Sequence, residues 1–326
     1  MILFWVATLA LTTLLYVLLD GFDLGVGILF AFTRGEADRR QMLAAIGPVW
    51  DGNETWLVLT GTVLFGAFPI VYATLLSAFY LPLAVMLCAL ILRGVAFEFR
   101  HRAAGTRRLW DAGFAGGSIV AAFVQGATVG ALVEGLPMSG GHYAGGMFGW
   151  FSPFACLCGF GLCVGYALLG AGWLIEKCEG ELRSGAFDRI LPLLSAVLAF
   201  LAIASTYGVV ENLRIMERWL ERPYLAAFPA LGLIAVLGLC WGVVRRIDGI
   251  IFPMAALIFL SAFATLAIAF WPYMIPFALT IDQAAAPPAS LNFMFWGAGL
   301  VVLPLTLTYT FIVYRVFAGK IPPGAS

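Results

Sequence analysis

Four carboxylates occur as two pairs within or beside long apolar segments of this sequence. Asp20 and Asp23 lie near the end of the first apolar run, and Asp51 and Glu54 open the second, in GPVWDGNETW. Residues three apart share one face of a helix, so each pair predicts two carboxylates that point the same way. A charge within a bilayer costs about 2.5–3.5 kcal/mol on insertion scales, so retained charges indicate ion or proton routes.

Three more ionisable residues belong to the following apolar segments: Arg93, Glu98 and Asp111. A structural alternative is that Asp51 and Asp111 cap helices and that Arg93 forms a salt bridge with Asp23 or Asp111. Asp20 and Asp23 do not open a helix, so capping does not explain them. The functional prediction is a hydrated proton path lined by Asp51, Asp20, Asp23, Glu54 and Asp111, with Arg93 and Glu98 as charge partners.

Other reactive residue types are sparse or badly placed for chemistry. The two histidines, His101 and His142, both fall in predicted loops, so an axial histidine for a haem buried in this chain is not expected. The six cysteines form no CxxC pair, which argues against a disulfide framework or a zinc site. DLGVGI is not a dinucleotide fingerprint, and no P-loop occurs. We therefore predict no catalytic and no metal-binding residue in this chain.

The composition indicates an integral membrane protein. Of the 326 residues, 62% are hydrophobic and 11% are charged, and the mean hydropathy is +0.99. Apolar runs of about 20 residues, the span of a bilayer core, recur along the whole chain. The runs are continuous rather than alternating, which favours helices over barrel strands. The formal net charge is zero, so nothing suggests a nucleic-acid partner.

The apolar runs predict an all-α protein that crosses the membrane repeatedly. The first run has no basic residue before Arg34, so we interpret it as a retained helix rather than a cleaved signal peptide. We predict nine spanning helices, over residues 2–31, 53–72, 75–99, 113–134, 150–174, 188–209, 224–244, 250–272 and 290–316.

The distribution of basic residues predicts the orientation. Fourteen of the 18 lysines and arginines fall in the loops on one side or in the C-terminal tail, and Arg93 lies within a helix. The other side has only three: Arg214, Arg218 and Arg222. By the positive-inside rule, the N-terminus lies outside and the C-terminus lies in the cytoplasm. All seven candidate residues then lie towards the cytoplasmic ends of the first four helices.

Pairs of glycines at GxxxG spacing predict close contacts between helices. They are Gly21 and Gly25, Gly126 and Gly130, and Gly161 and Gly165. Small residues at this spacing allow two helix backbones to approach each other within a membrane.

Long motifs give the sequence a family resemblance. LLDGFDLGVGILF is followed by IGPVWDGNETWLVLTGTVLFGAFPIVYATLLSAFYLPL and then by LRGVAFEFR. In these motifs the chain resembles subunit II of the cytochrome bd-type quinol oxidases, and DGNETW is similar to the cyanide-insensitive branch. The match is dense over residues 15–115 and weaker, with consistent spacing, to the C-terminus.

The resemblance implies two four-helix bundles and one peripheral helix in a bacterial inner-membrane protein. The implied parts are an N-terminal bundle with the cytoplasmic acidic cluster over 1–134, a second bundle over 135–275, and the peripheral helix with a short tail over 276–326. The family oxidises quinol and reduces dioxygen to water. Its haems, of type b together with type d or b, belong to subunit I, which subunit II stabilises. The resemblance also allows for a structural quinone in this chain and for small single-helix accessory subunits.

The family motifs match individual candidate residues. Asp51 corresponds to the aspartate of WDGN at the mouth of a cytoplasmic proton route, and Asp23 and Arg93 correspond to the DGFD and R-x-V positions. Asp111 corresponds to the acid that opens the fourth helix. Two alternatives stay open. One is an ion-coupled secondary transporter, for which Pro82 and Pro253 could mark broken helices, although neither lies beside the acidic residues. The other is a purely structural assembly subunit.

Overall fold

The fold is almost entirely helical. The computed structural model describes residues 1–103, 105–140, 142–211 and 223–322. Its helices are α1 (Ile2–Ala31), α2 (Glu36–Ile46), α3 (Trp50–Ala67), α4 (Pro69–Arg100), α5 (Arg107–Glu134), α6 (Pro153–Lys177), α7 (Gly180–Val210), α8 (Ala227–Arg245), α9 (Asp248–Phe270) and α10 (Pro288–Val316). A 3₁₀ turn (Pro223–Ala226) precedes α8, and a one-turn helix (Ile281–Ala284) precedes α10.

Eight of the helices in the described ranges are long and apolar enough to cross a membrane. The two that are not are α2, which is short and polar, and α3, whose opening WDGNET lowers its mean hydropathy. The predicted all-α membrane fold is therefore confirmed. The predicted count of nine spanning helices is not confirmed, because it depends on α3.

Helix boundaries differ from the prediction where polar residues or proline adjoin the apolar runs. α3 ends at Ala67 rather than at residue 72, because Phe68 leaves the helical region and Pro69 opens α4. α5 begins at Arg107 rather than 113, and α7 at Gly180 rather than 188. Both helices extend beyond their apolar part with a polar first turn or more, which hydropathy alone does not detect.

The structural alternative that Asp51 and Asp111 cap helices is wrong. α3 begins at Trp50 with Val49 at the N-cap position, so Asp51 is the second helical residue and makes no capping hydrogen bond. α5 begins four residues before Asp111, with Thr106 at the N-cap position. Capping therefore does not account for either aspartate.

Close helix contacts occur at the predicted glycine pairs. A Cβ added to Gly25 on α1 would lie 1.8 Å from the carbonyl oxygen of Tyr166 on α6, and one added to Gly126 on α5 would lie 2.4 Å from the carbonyl oxygen of Cys158. At both sites the neighbour is backbone, which cannot move aside as a flexible side chain can. The third pair packs against aromatic side chains rather than backbone: Gly161 contacts the ring of Phe200, and Gly165 contacts the ring of Phe259.

Loops and chain segments rich in basic residues meet at one end of the bundle, which we call the basic end. There the amide of Gln41 donates to the carbonyl oxygen of Ile321 at 2.9 Å, and the backbone N–H of Ile321 donates to the carbonyl of Lys177 at 2.7 Å. Arg183 forms an ion pair with Asp248 at 2.6 Å. These contacts join the segment after α1, the α6–α7 and α8–α9 connections, and the C-terminal tail.

The opposite end carries two short hairpins. β1 (Met138–Ser139) pairs with β2 (His142–Tyr143), and β3 (Tyr273–Ile275) pairs with β4 (Leu279–Thr280). The arginines predicted to lie at this end lie outside the described residues: Arg214, Arg218 and Arg222.

The last helix, α10, lies at the periphery, as the resemblance implies. Among its residues only Leu291 and Gly299 are buried. Its middle, Phe295–Val302, is a π-helix. Pro304 has no backbone N–H to donate to the fourth preceding carbonyl, so an ordinary α-helical hydrogen bond is lost next to this segment.

Candidate proton-entry site

Side chains from three helices form a buried polar group, which we call the buried cluster: Asp20 and Asp23 of α1, Asn53 and Glu54 of α3, and Arg93 of α4. Arg93 Nη1 donates to Asp20 Oδ1 at 2.9 Å and to Glu54 Oε1 at 3.0 Å. Asn53 Nδ2 donates to Asp23 Oδ2 at 2.7 Å. Asp20 and Asp23 of one predicted pair and Glu54 of the other therefore belong to one group, and Arg93 joins Asp20 to Glu54.

The buried cluster combines deep burial with unbalanced charge. The side chains of Asp20 and Arg93 are 0% and 1% exposed, whereas that of Glu54 is 27% exposed. Three carboxylates face one guanidinium, and Asp20 Oδ2 and Asp23 Oδ1 are buried without a hydrogen-bond partner among the described residues. Burying charge without a counter-charge is costly, so the three carboxylates depend on the single guanidinium of Arg93.

Asp51 is an exposed neighbour of the buried cluster along α3. It is exposed in the first turn of α3 and precedes Glu54 by three residues, so the two carboxylates share a helix face. Trp50 packs beside the cluster, with its ring centre 5.9 Å from Arg93 Cζ. The carboxylates thus become steadily less exposed from Asp51 through Glu54 to Asp20.

The structural alternative that pairs Arg93 with Asp23 or Asp111 is wrong. Its ion-pair partners are Asp20 and Glu54 rather than Asp23 or Asp111. Glu98, predicted as a charge partner, is exposed and has no ion pair within the described residues. Five residues along a helix correspond to a rotation of about 500°, so Glu98 points about 140° away from Arg93.

Asp111 belongs to a separate network at the basic end, which we call the clamp: Glu36, Arg39, Arg100 and Asp111. Asp111 accepts from Arg39 Nη1 at 2.8 Å and from Arg100 Nε at 2.5 Å, and Arg100 also donates to Glu36 at 2.9 Å. Both guanidiniums lie over the ring of Phe30, at 4.8 and 5.5 Å from its centre. The clamp joins α2 to the ends of α1, α4 and α5.

The carboxyl group of Glu36 is tuned by its surroundings. Partial burial alone raises the pKa of Glu36, but Arg100, Arg107 and Arg40 outweigh burial and hold this pKa below its ordinary value. A carboxyl group with a lowered pKa stabilises the fold at any pH above its ordinary pKa. This stabilisation is lost as the pH falls through the lowered pKa. The Glu36 ion pairs are therefore present at neutral pH.

We expect Asp111→Asn to loosen the clamp. The change removes the negative charge that Arg39 and Arg100 share, and hydrogen bonds to charged groups contribute about 1.5–3 kcal/mol each. The melting temperature of the purified protein in its native assembly should fall clearly. Asp188→Asn is the matched control, because its ion pair with Arg246 is exposed and contributes little. Equal melting temperatures for the two variants would contradict a stabilising clamp.

The prediction missed uncharged polar residues that adjoin the buried cluster. Tyr166 donates to Gln125 at 2.8 Å, and Gln125 donates to Tyr16, one turn before Asp20, at 2.6 Å. Asn53 was overlooked within WDGNETW itself. The prediction of costly residues within the apolar segments considered charged side chains only. Amides and hydroxyls were therefore not selected as candidates. The available signal was a lone glutamine in the middle of the apolar α5.

The two histidines lie away from the helical interior. His101 is exposed in the turn after α4, and His142 is exposed in β2. A haem placed between the helices of this chain would therefore have no histidine ligand from it. Among the described residues, no three His, Cys, Asp or Glu side chains are grouped in a way that could hold a metal ion.

Comparisons with known proteins agree on one family. The family model for cytochrome bd terminal oxidase subunit II matches residues 1–317. The chain is 33% identical to cytochrome bd-I ubiquinol oxidase subunit 2 of Escherichia coli, over 93% of this chain and 90% of the relative. It is 32% identical to a probable cytochrome oxidase subunit 2 of Haemophilus influenzae, over 91% and 85% of the two chains.

A solved structure shows the same fold. A chain of the bd oxidase from Geobacillus thermodenitrificans superposes with a TM-score of 0.78 at 16% identity, over 97% of this chain and 98% of that chain. At this identity the likeness is evidence for the fold alone. The family resemblance predicted from the motifs is confirmed by the sequence comparisons: the chain belongs to the cytochrome bd terminal oxidase subunit II family.

Proposed function

We propose that this chain is the haem-free subunit of a bacterial inner-membrane oxidase that oxidises quinol and reduces dioxygen to water. The names of its relatives support the reaction, and its length and family support a partnership with a subunit I. The haems, of type b and of type d or b, then belong to that partner. This chain stabilises the partner and supplies protons to it.

The proposed orientation places the basic end in the cytoplasm. Arg39, Arg100 and Lys177 lie there, and basic residues are retained on the cytoplasmic side of membrane proteins. Asp51 then faces the compartment from which oxygen reduction draws its protons. Quinol releases its protons on the other side, so the reaction separates charge across the membrane.

The observation that carries the proton-entry role is the graded burial from Asp51 to the buried cluster. An exposed carboxylate collects a proton from water, and the half-buried Glu54 receives it three residues further along the same helix face. Arg93 stabilises the ionised carboxylates between transfers, and the cluster's excess of negative charge favours the arrival of a proton. This order of groups gives a direction to the path.

The experiment that tests this role is Asp51→Asn in the complete oxidase. We expect oxygen consumption per haem to fall about tenfold or more, because a positioned proton-transfer group contributes at least that much to a rate. Haem content should stay unchanged, since Asp51 is exposed and has no ion pair among the described residues. Asp188→Asn, another exposed aspartate at the basic end, should keep the full rate.

Full turnover by an assembled Asp51→Asn complex would exclude the entry role and leave the purely structural subunit as the better description. The transporter alternative makes a different prediction. A mildly purified transporter would be a colourless oligomer of this chain, whereas the oxidase subunit copurifies with haem bands in a reduced-minus-oxidised spectrum. Family membership supports the oxidase over the transporter.

A further inference from the structure

The side-chain amide of Asn53 makes three hydrogen bonds, which use both of its N–H donors and one lone pair of its oxygen. Its Nδ2 donates to Asp23 Oδ2 at 2.7 Å and to the carbonyl oxygen of Leu19 at 3.3 Å. Its Oδ1 accepts from the hydroxyl of Tyr314 at 2.9 Å. Rotating the amide by half a turn would set its oxygen against two acceptors, so these partners fix its orientation.

Tyr314 connects this amide to a recess at the basic end. The recess has a volume of about 250 Å³ and is bordered by the loop before α3, the end of α6 and the C-terminal tail. Tyr314, Lys177 and Lys320 contribute to its wall. A hydrogen-bonded series therefore joins Tyr314, in the wall of the recess, through Asn53 to Asp23, and Asp51 is not a member of this series.

The amide is the one member of this series that does not relay protons readily. A hydroxyl or carboxyl group accepts a proton on one oxygen lone pair and releases another. An asparagine amide donates only from nitrogen and accepts only on oxygen, and its nitrogen is not basic. A proton that reached Oδ1 could leave towards Asp23 only through a high-energy imidic acid form.

We propose that Asn53 is an insulator that closes the buried cluster against the recess, and that Tyr314 is a positioning residue that fixes the amide in its closed orientation. This inference rests on the proposed proton entry through Asp51. It explains why an amide, rather than a further carboxylate, lies between Asp51 and Glu54 in WDGNETW. The insulator leaves the Asp51 side as the inlet to the cluster.

The test asks whether a change at Asn53 can supply protons through the recess after Asp51→Asn has removed the supply through Asp51. In the complete oxidase carrying Asp51→Asn, we expect the added change Asn53→Asp to raise oxygen consumption per haem at least about threefold, because a carboxyl group relays protons where the amide does not. Asn53→Ser should give a gain of the same sign without adding charge, through its hydroxyl. The KM for quinol should not change in either variant.

Tyr314→Phe tests the direction of the new supply. Added to the Asp51→Asn/Asn53→Asp oxidase, it should remove the gain while haem content is retained, because the tyrosine hydroxyl connects the recess to residue 53. A gain that survives Tyr314→Phe would overturn the assignment of Tyr314.

The outcomes separate this inference from the proposed function. Assembled oxidases with Asn53→Asp and Asn53→Ser that remain as slow as Asp51→Asn alone would overturn the insulator and leave the inlet intact. If neither the Asn53→Asp nor the Asn53→Ser oxidase assembles, the amide is required for the structure, and the insulator proposal is overturned as well. Full speed of Asp51→Asn alone would contradict the inlet, and the insulator with it.

Discussion

Replacing Arg93 by leucine is expected to remove most of the assembled complex from the membrane rather than only to slow it. Arg93 is 1% exposed and forms ion pairs with Asp20 and Glu54. Without it, buried carboxylates from two helices lose their shared counter-ion. Removing one partner of a buried ion pair typically costs about 3–5 kcal/mol, a large share of the stability of most proteins. The measurement is the amount of this chain and of haem in purified membranes.

Two comparisons make the Arg93 experiment specific. Arg102→Leu removes an exposed arginine in the turn after α4 and should leave the yield unchanged. Adding Asp20→Asn to Arg93→Leu should recover part of the yield, because it also removes a buried negative charge. A full yield of Arg93→Leu complex with slow turnover would show that Arg93 acts in proton transfer and not as a structural counter-ion.

The second large effect is expected from Gly25→Ala, which adds one methyl group to α1. That methyl carbon would lie 1.8 Å from the carbonyl oxygen of Tyr166 on α6. Gly170, one turn after Tyr166 on α6, meets the same part of α1, since its own Cβ would lie 2.5 Å from the carbonyl carbon of Gly25. Two helices must therefore separate. Overpacking costs about 1–3 kcal/mol, and a clash of backbone with backbone belongs at or above the top of that range.

Thermal melting and detergent extraction of the Gly25→Ala protein measure this effect. We expect a melting temperature several degrees lower and a smaller yield of folded protein. Gly116→Ala, on α5, is the control, because an added Cβ there meets nothing within 4 Å. Equal stability of the two variants would mean that α1 and α6 can shift apart without loss, against the contact described above.

Separating α1 from α6 should also disturb the buried cluster, because Asp20 and Asp23 lie on α1 within two turns of Gly25. Gly25→Ala should therefore lower oxygen consumption per haem in whatever complex still assembles. The clamp shares no residue with the buried cluster, so Asp111→Asn should affect melting more than turnover. Comparing the two variants separates stability from proton supply.

Much of the fold was predictable because it follows from local properties. The apolar runs set the rough positions of the long helices, and the i, i+3 spacing set which carboxylates share a face. The glycine pairs at GxxxG spacing identified where backbones approach, and Gly25 and Gly126 do lie against neighbouring backbone. The family motifs identified the relatives. Helix ends were predicted less well, since polar turns at helix ends carry no apolar signal.

The pairing of the charged residues was not predictable in the same way. Arg93 lies 73 residues from Asp20 and 39 from Glu54, and Asn53 lies 261 residues from Tyr314. Which of these side chains meet depends on how far each helix is rotated and shifted against its neighbours. Asp111 illustrates the difference, because it shares an end of the bundle with Arg93 and yet pairs with Arg39 and Arg100.

The sequence by itself determined that this is a helical membrane protein of the cytochrome bd subunit II family with carboxylates retained inside its apolar helices. Hydropathy, spacing and motifs are properties of neighbouring residues, so they can be read without a fold. Only the tertiary structure decided that Asp20, Glu54 and Arg93 form one buried cluster, that Asp111 belongs to the clamp, and that Asn53 is held by Tyr314. Those contacts join distant parts of the chain, and the packing of α1, α3 and α4, of α2, α4 and α5, and of α10 beside α3 sets them.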